Sequence, residues 1–533
     1  MKRIVIIGAG AAGYFTAAAI KKNIPDIDVV VVYDPNTPTI GVGEALNWEA
    51  PLFMKGVLGL SDFEWLKESR SILKIGTRHQ GWDGTDNVFY AGATFVPSST
   101  ILDEYEPGKI EKVMHRRFPR ETGKYDMVDM WIHLRNRGLL DQLAIQVPKN
   151  PHAAHTSQTY WYAKNNTLPL SRKLEWLLTN TNYSYHINAT RVGGTIHRLV
   201  GKPAGVREIA VKLQDVVLNE AGDIDHLVLA DGQKITADLF VDSSGFARVL
   251  VKKLPYEFEK LDEYFNNSVI VGPHSYKDYS EHTNSSYIRA MDQGWHFSVG
   301  MDVRSGEGYV YNSALTKDVD ALKEEYYNKT NKRDVNFRSM SWEPGYYKDS
   351  FVKNCIALGL SHGLSDAFDA NAFSATLSQI TELVNHLKAD EEFAFDWRPV
   401  FNRFVKTRMD EIVLRIQIAF HLAPKNDTEY WKEMKVAASK FHTMEKLLDA
   451  VHDLRRKRGD AHYDSASAYT QGTYLTQITH YELPVVFRPL NITPETEKLA
   501  LEYFNELGQT FKTAGESGMP VDKFYQGMYP ELR

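Results

Sequence analysis

Apolar and polar positions follow two different periods along the chain, and the first fifty residues show both. Ile4 to Ile7 is a short, wholly apolar, β-branched run, the pattern of a parallel strand buried on both faces. Gly8-Ala9-Gly10-Ala11-Ala12-Gly13 follows at once, and Tyr14 to Lys21 then has the alanine-rich composition of a helix. Val29 to Tyr33 predicts a second buried strand, ending at Asp34. Farther on, Val206, Lys212 to Leu218 and the turn Ala221-Gly222-Asp223 predict a β-meander, and Ile235 to Val241 a further apolar strand. Ala357 to Ser361 reads as strand and turn, Ala372 to Leu387 as a helix. Between Arg408 and Leu422 the apolar residues Ile412, Ile416 and Phe420 recur every four positions, the face of a packed helix.

Strand, glycine turn, helix, strand and terminal acid together predict a dinucleotide site. Gly8 makes the tight turn, Gly10 lets backbone approach a pyrophosphate, and Gly13 allows close helix-to-strand packing. Phosphate then sits by Ala11 and Ala12 on the positive helix N-terminus, and Asp34 is placed to bind a ribose hydroxyl. A glycine turn with a purely structural role is the alternative.

Composition narrows the class only a little. At 533 residues the chain exceeds one ordinary core, and 43% hydrophobic with 24% charged residues is a globular balance. The net charge of −6 gives no pull towards nucleic acid or an anionic bilayer, and the clusters Arg116-Arg117 and Arg455-Arg456-Lys457-Arg458 read as solvated faces. Cys355 is the one cysteine, which excludes an intramolecular disulfide and thiolate zinc sites. No run of about eighteen apolar residues is present, so the expected location is cytoplasmic. His152 and His155 have metal-like spacing but read as part of a Pro/Asn/Ala loop without a carboxylate cluster, and no metal site is expected.

Asp242-Ser243-Ser244-Gly245 at the end of a strand resembles the second FAD motif of the flavin monooxygenase superfamily, which assigns Val206, Asp242 and Gly245 to the cofactor. Five further stretches resemble the flavin-dependent tryptophan halogenases. Thr39-Ile40-Gly41-Val42-Gly43-Glu44-Ala45 matches the family segment after the ribose acid, which assigns Gly43, Glu44 and Ala45 to the cofactor, and Ser71-Ile72-Leu73-Lys74-Ile75-Gly76, ending at Trp82, puts Lys74 on the catalytic lysine. Lysine in an apolar run is costly unless paired, and its pKa falls readily. Gly294-Trp295-His296-Phe297-Ser298-Val299-Gly300 keeps the first Trp of the family's Trp-x-Trp-x-Ile-Pro element, with Phe297, Val299 and Gly300 replacing Trp, Ile and Pro. In Asp366-Ala367-Phe368-Asp369-Ala370-Asn371-Ala372, Asp369 falls on the catalytic glutamate and Asn371 and Ala372 on the halide cradle, while Asp366 is assigned to the cofactor region. Asp366 and Asp369 also read as caps of the following helix. Arg408 to Leu422, then Lys425 to Trp431, resembles the family's long helix and turn.

The resemblance implies an α/β fold: a Rossmann-like FAD module over residues 1–394, discontinuous, with an antiparallel substrate sheet inserted at about 80–190 and 255–345. A mostly helical region, 395–533, covers the substrate site. The implied reaction uses FADH2, delivered by diffusion from a separate reductase, with dioxygen and halide. A flavin hydroperoxide yields hypohalous acid, which passes to Lys74, and Asp369 stabilises the cationic arene and accepts its proton. The implied substrate is a small electron-rich arene. The groups that fix free tryptophan find no match in 463–484, so another arene is expected. Homo-oligomerisation stays open. A flavin-dependent aromatic hydroxylase and a flavin-binding protein without turnover are the competing readings.

Overall fold

The computed structural model describes residues 2–38, 41, 43–92, 127–147, 151–170, 183–261, 265–390, 394–456, 477–484 and 492–531. Thr39, Ile40, Val42, Arg116, Arg117, Lys457, Arg458 and residues 463–476 lie outside them.

Three sheets matter for the site. The first has six strands in the order 351–352, 355–357, 239–242, 3–7, 28–32, 207–209, parallel except at the 351–352 edge. Its centre is the run predicted from Ile4 onward, with Ile4, Val5 and Ile6 wholly buried, as expected of a strand covered on both faces. The helix Ala11–Asn23 leaves that strand through the glycine turn and packs against Asn371–Ala389 and Ala189–Ile196. A Cβ on Gly13 would stand 1.9 Å from the Gly8 carbonyl oxygen, so helix and turn can meet only at glycine.

The second sheet has seven strands, in the order 338–341, 268–275, 304–311, 294–300, 285–291, 76–80, 88–92, and every pairing is antiparallel except 285–291 with 76–80. The third is small: Glu44–Ala45, Ser184–Ile187 and Ile72–Lys74, antiparallel throughout. It carries Glu44 and Lys74 on strands either side of one partner. The described elements from Arg398 on are helices, apart from the short strand Met519–Pro520. Among the described residues no helix is long and apolar enough to cross a membrane.

Two local expectations change. The predicted strand 235–241 is two: Lys234–Ile235 closes the meander formed with Leu213–Leu218 and Ile224–Leu229, and Leu239–Asp242 joins the parallel sheet. Asp238 makes the break, its carboxylate taking the backbone N–H groups of Lys2 at 2.7 Å and Arg3 at 2.8 Å. His152 and His155 stand on the helix Pro151–Thr156, not in a loop. Both ring nitrogens of His155 lie 2.9 Å from backbone carbonyls, of Phe504 and Ile145.

Candidate active site

One cavity of about 640 Å³ lies between the glycine turn and one face of the seven-stranded sheet. Of the residues assigned to the cofactor it is lined by Gly8, Gly10, Ala11, Ala12, Asp34, Gly43, Glu44, Ala45 and Gly245. It is lined as well by Lys74, Trp295, Phe297, Val299, Asp369, Asn371 and Ala372. Alternation along a strand explains part of this wall. Trp295, Phe297 and Val299 are two residues apart and share one face, joined by Ser286 and Ile288 of the neighbouring strand. Phe297 lies opposite Gly308, where a Cβ would come within 2.2 Å of the phenyl ring, so its side chain lies flat across the partner strand.

Four residues assigned to the cofactor stand outside that lining. Gly13 packs against Gly8, and Val206 is buried behind the sheet. Asp242 is fully buried and its carboxylate accepts from its own loop, from Ser244 N at 3.0 Å, Leu250 N at 2.8 Å and Val251 N at 3.0 Å, and from the distant Ser361 Oγ at 3.0 Å. Asp366 accepts from Asn266 Nδ2 at 2.8 Å and Phe368 N at 3.0 Å; burial pushes its carboxyl up to about 7 against those bonds. Neither Asp366 nor Asp369 caps the helix, whose N-cap is Ala370.

Lys74 is 7% exposed, and Nζ donates to the Leu46 carbonyl at 3.0 Å. Burial lowers its pKa to about 8, and Asp369 opposes part of the fall. The strand that holds it is braced from the C-terminal helix Val521–Met528 and its end: Leu73 N donates to the Tyr525 hydroxyl at 2.8 Å, and the Tyr529 hydroxyl donates to Ser71 O at 2.7 Å. Asp369 has φ 60° and Ala370 φ 61°, two successive left-handed residues at the entry to the helix Asn371–Ala389. Such backbone persists in non-glycine residues only where the surroundings impose it.

Those surroundings contain groups that the sequence did not bring out. Arg415, 2% exposed on the helix Arg398–His421, sets Nε 3.0 Å and Nη2 2.8 Å from Asp369 Oδ2, and its Nη1 donates to Gln477 Oε1 at 2.8 Å. His79 Nε2, buried and without a hydrogen-bond partner, lies 4.0 Å from Asp369 Oδ1. Burial pushes Asp369 up, but the Arg415 guanidinium, helped by Lys74, overrides it and holds the carboxyl below its ordinary value. Burial drives His79 down to about 3, so its ring is neutral. On the small sheet that also carries Lys74, burial alone raises Glu44 to about 7.

The lining suits a flavin dinucleotide. A Cβ added to Gly10 or Gly245 meets nothing within 4 Å, so both open backbone onto the cavity, as a close-approaching diphosphate requires. Gly10→Val is therefore expected to leave the fold intact and weaken FAD binding by at least tenfold, measured by flavin fluorescence, because the new side chain takes ligand space.

The family model described as tryptophan halogenase matches residues 3–490. The chain belongs to the tryptophan halogenase family. The tryptophan 7-halogenase RebH of Lentzea aerocolonigenes is 26% identical over 455 residues, covering 82% of this chain and 79% of its own. The tryptophan 6-halogenase ThaL of Streptomyces albogriseolus is 26% identical over 450 residues, 82% and 80% of the two chains. Among solved structures, the tryptophan halogenase of Shewanella frigidimarina NCIMB 400 superposes with a TM-score of 0.80 at 18% identity, covering 100% of this chain and 98% of its own. BrvH, a flavin-dependent halogenase from Brevundimonas sp. BAL3, gives 0.76 at 20%, covering 99% of each. The protein is thus a flavin-dependent halogenase, an oxidoreductase that works with FAD, dioxygen and halide on an aromatic substrate. Of the three readings left by the sequence, family membership selects halogenation.

Proposed function

We propose that Lys74 and Asp369 carry out the halogen transfer in this cavity. The observation that supports this is their joint place on the lining of the cavity that the glycine turn also lines. Bound in its reduced form, delivered by a separate reductase, FAD supplies with dioxygen the oxidising power that converts halide to hypohalous acid. Gly10, Ala11 and Ala12 would hold the diphosphate and Asp34 a ribose hydroxyl, with Asn371 and Ala372 at the halide end.

The lysine ammonium hydrogen-bonds the oxygen of hypohalous acid. As the oxygen–halogen bond breaks, that oxygen takes a proton from the ammonium and leaves as water, and the halogen forms a bond to a ring carbon. The Asp369 carboxylate sits where the ring becomes cationic, stabilises it, and takes the proton from the same carbon. Its depressed pKa does not impair this step, because an arenium ion is a far stronger acid than any carboxylic acid. The lining of Trp295, Phe297 and Ile288 gives an apolar wall for an arene and limits water at the transfer point.

Reduced FAD with chloride, bromide or iodide, offered to a panel of indoles and phenols, tests the reading: a ring-halogenated product at one position supports it, and oxygenated product in the absence of halide overturns it. The pH dependence follows from Lys74. An ammonium that deprotonates at about 8 is present below that value and lost above it, so ring halogenation is expected to fall as pH rises through about 8, with trapped hypohalous acid unchanged. A rate that instead climbs through the same range would assign the transfer to the free amine.

A further inference from the structure

Lys74 and Asp369 line one cavity and influence each other electrostatically, yet among the described residues Lys74 has no ion-pair contact; its ammonium is bound to the Leu46 carbonyl. A lone ammonium and a lone carboxylate in a buried pocket are expected to close on each other, since their attraction grows as water is excluded. Asp369 is claimed instead from the other side. Arg415 takes Oδ2 through Nε and Nη2, and the remaining oxygen, Oδ1, faces His79 Nε2 across 4.0 Å.

We propose that Arg415 is a positioning residue that fixes one oxygen of Asp369 and so prevents Lys74 and Asp369 from closing into an ion pair, which leaves both turned to the substrate. A planar guanidinium offers two parallel donors to a carboxylate where an ammonium offers a point charge, so the fork wins the competition for Oδ2. Arg415 cannot follow the carboxylate elsewhere. It is 2% exposed, its third arm is tied to Gln477, and its guanidinium carbon lies 5.8 Å from the Phe368 ring centroid. The two left-handed residues, Asp369 and Ala370, are the backbone counterpart of this hold. The inference rests on the roles proposed above for Lys74 and Asp369.

Around the pair stand Arg415 from the long helix, His79 from the strand Gly76–Gln80, His186 from the strand Ser184–Ile187, and His480 and Tyr481 from 477–484. His79 and His186 are both lowered to about 3, chiefly by burial, and stay neutral while Lys74 titrates.

The test is the rate at which acetic anhydride acylates Lys74 in the FAD-loaded protein, followed against pH by mass spectrometry. In the wild type the midpoint is expected near 8. Arg415→Met should move it up by about one pH unit or more, because the released carboxylate closes on the ammonium. Asp369→Asn should move it down. Ring bromination of indole should fall in Arg415→Met while trapped hypobromous acid persists. An unchanged midpoint in Arg415→Met that still binds FAD overturns the proposal. If that variant does not fold, Arg415→Lys carries the test, with a smaller rise expected and an unchanged midpoint again decisive against. Labelling needs no turnover, so a shifted midpoint alongside a Lys74→Ala enzyme that still halogenates rings would sink the transfer reading and leave the positioning intact.

Discussion

Lys74→Ala is expected to cut ring halogenation by about a thousandfold, the upper range for deleting one donor aimed at developing charge, while hypohalous acid continues to be made and FAD binding is unchanged. The expectation rests on where the side chain stands. Lys74 shares the cavity with the glycine turn but belongs to a different sheet from it, so its removal leaves that turn undisturbed; the change nearest the expected cofactor is at Leu46, beside Ala45, whose carbonyl loses one donor. Its strand is fixed by backbone pairing to Ser184–Ile187 and by Tyr525 and Tyr529, none of which uses the lysine side chain. The fold should therefore survive, since truncation removes a buried amine and costs the Leu46 carbonyl one donor. Lys74→Met keeps the volume and removes the charge, and should match the alanine variant. Two measurements decide the matter: halogenated arene by chromatography, and oxidised halide caught by a small soluble scavenger that needs no pocket. Regioselective product at near wild-type rate from either variant would refute the assignment, and loss of both signals would place Lys74 upstream, in oxidant formation.

The sequence made the cofactor end of this site legible because the demands there are local. A strand buried on both faces, a turn without side chains and a helix must follow one another within about fifteen residues, and Ile4 to Lys21 writes that order out directly. Lys74 was singled out by its resemblance to the family lysine; the cation among Ile72, Leu73 and Ile75 added a local reason, and what the structure adds is its burial on the cavity lining. Asp242 illustrates the limit. The motif Asp-x-x-Gly locates the right turn, and Gly245 does open on the cavity, but which partner a carboxylate chooses depends on the loop that folds round it.

Arg415 was missed although a signal existed. The long helix was read through Ile412, Ile416 and Phe420 alone, yet Arg408 and Arg415 lie four before and three after Ile412, on the same buried stripe. Cations on an apolar stripe need carboxylates, and each has one: Glu49 for Arg408, Asp369 for Arg415. The partners are 359 and 46 residues away in the chain, so periodicity can reveal that an arginine is buried without revealing what it meets. His152 and His155 failed in the opposite sense. Pro151 at the first helical position announces a helix, and the spacing that resembled a metal pair is one helical turn.

Asp369→Asn is expected to lower ring halogenation by about 10²–10⁴-fold, the span usual for removing a positioned proton acceptor, with oxidised halide still formed. Asparagine keeps the shape and loses the charge, so the arenium ion is neither stabilised nor deprotonated at that oxygen. Stability should fall as well, because Arg415 is left buried without its anion, by up to about 3 kcal/mol. The pH dependence of that loss has a definite sign. Asp369 is depressed in the fold below its ordinary 3.8, chiefly by Arg415 acting against burial, so its stabilising contribution is complete above 3.8 and disappears as pH falls through the lower folded value. Denaturation of wild type and Asp369→Asn should accordingly differ by a constant amount from neutral pH down to mildly acidic conditions and converge only in strong acid. The double variant Asp369→Asn with Arg415→Met removes both charges, and should recover most of the lost stability, since a buried pair replaced whole costs little. It should recover none of the activity. Recovery of ring halogenation in the double variant would mean that Asp369 serves only to neutralise Arg415, and that the proton leaves the ring to another acceptor.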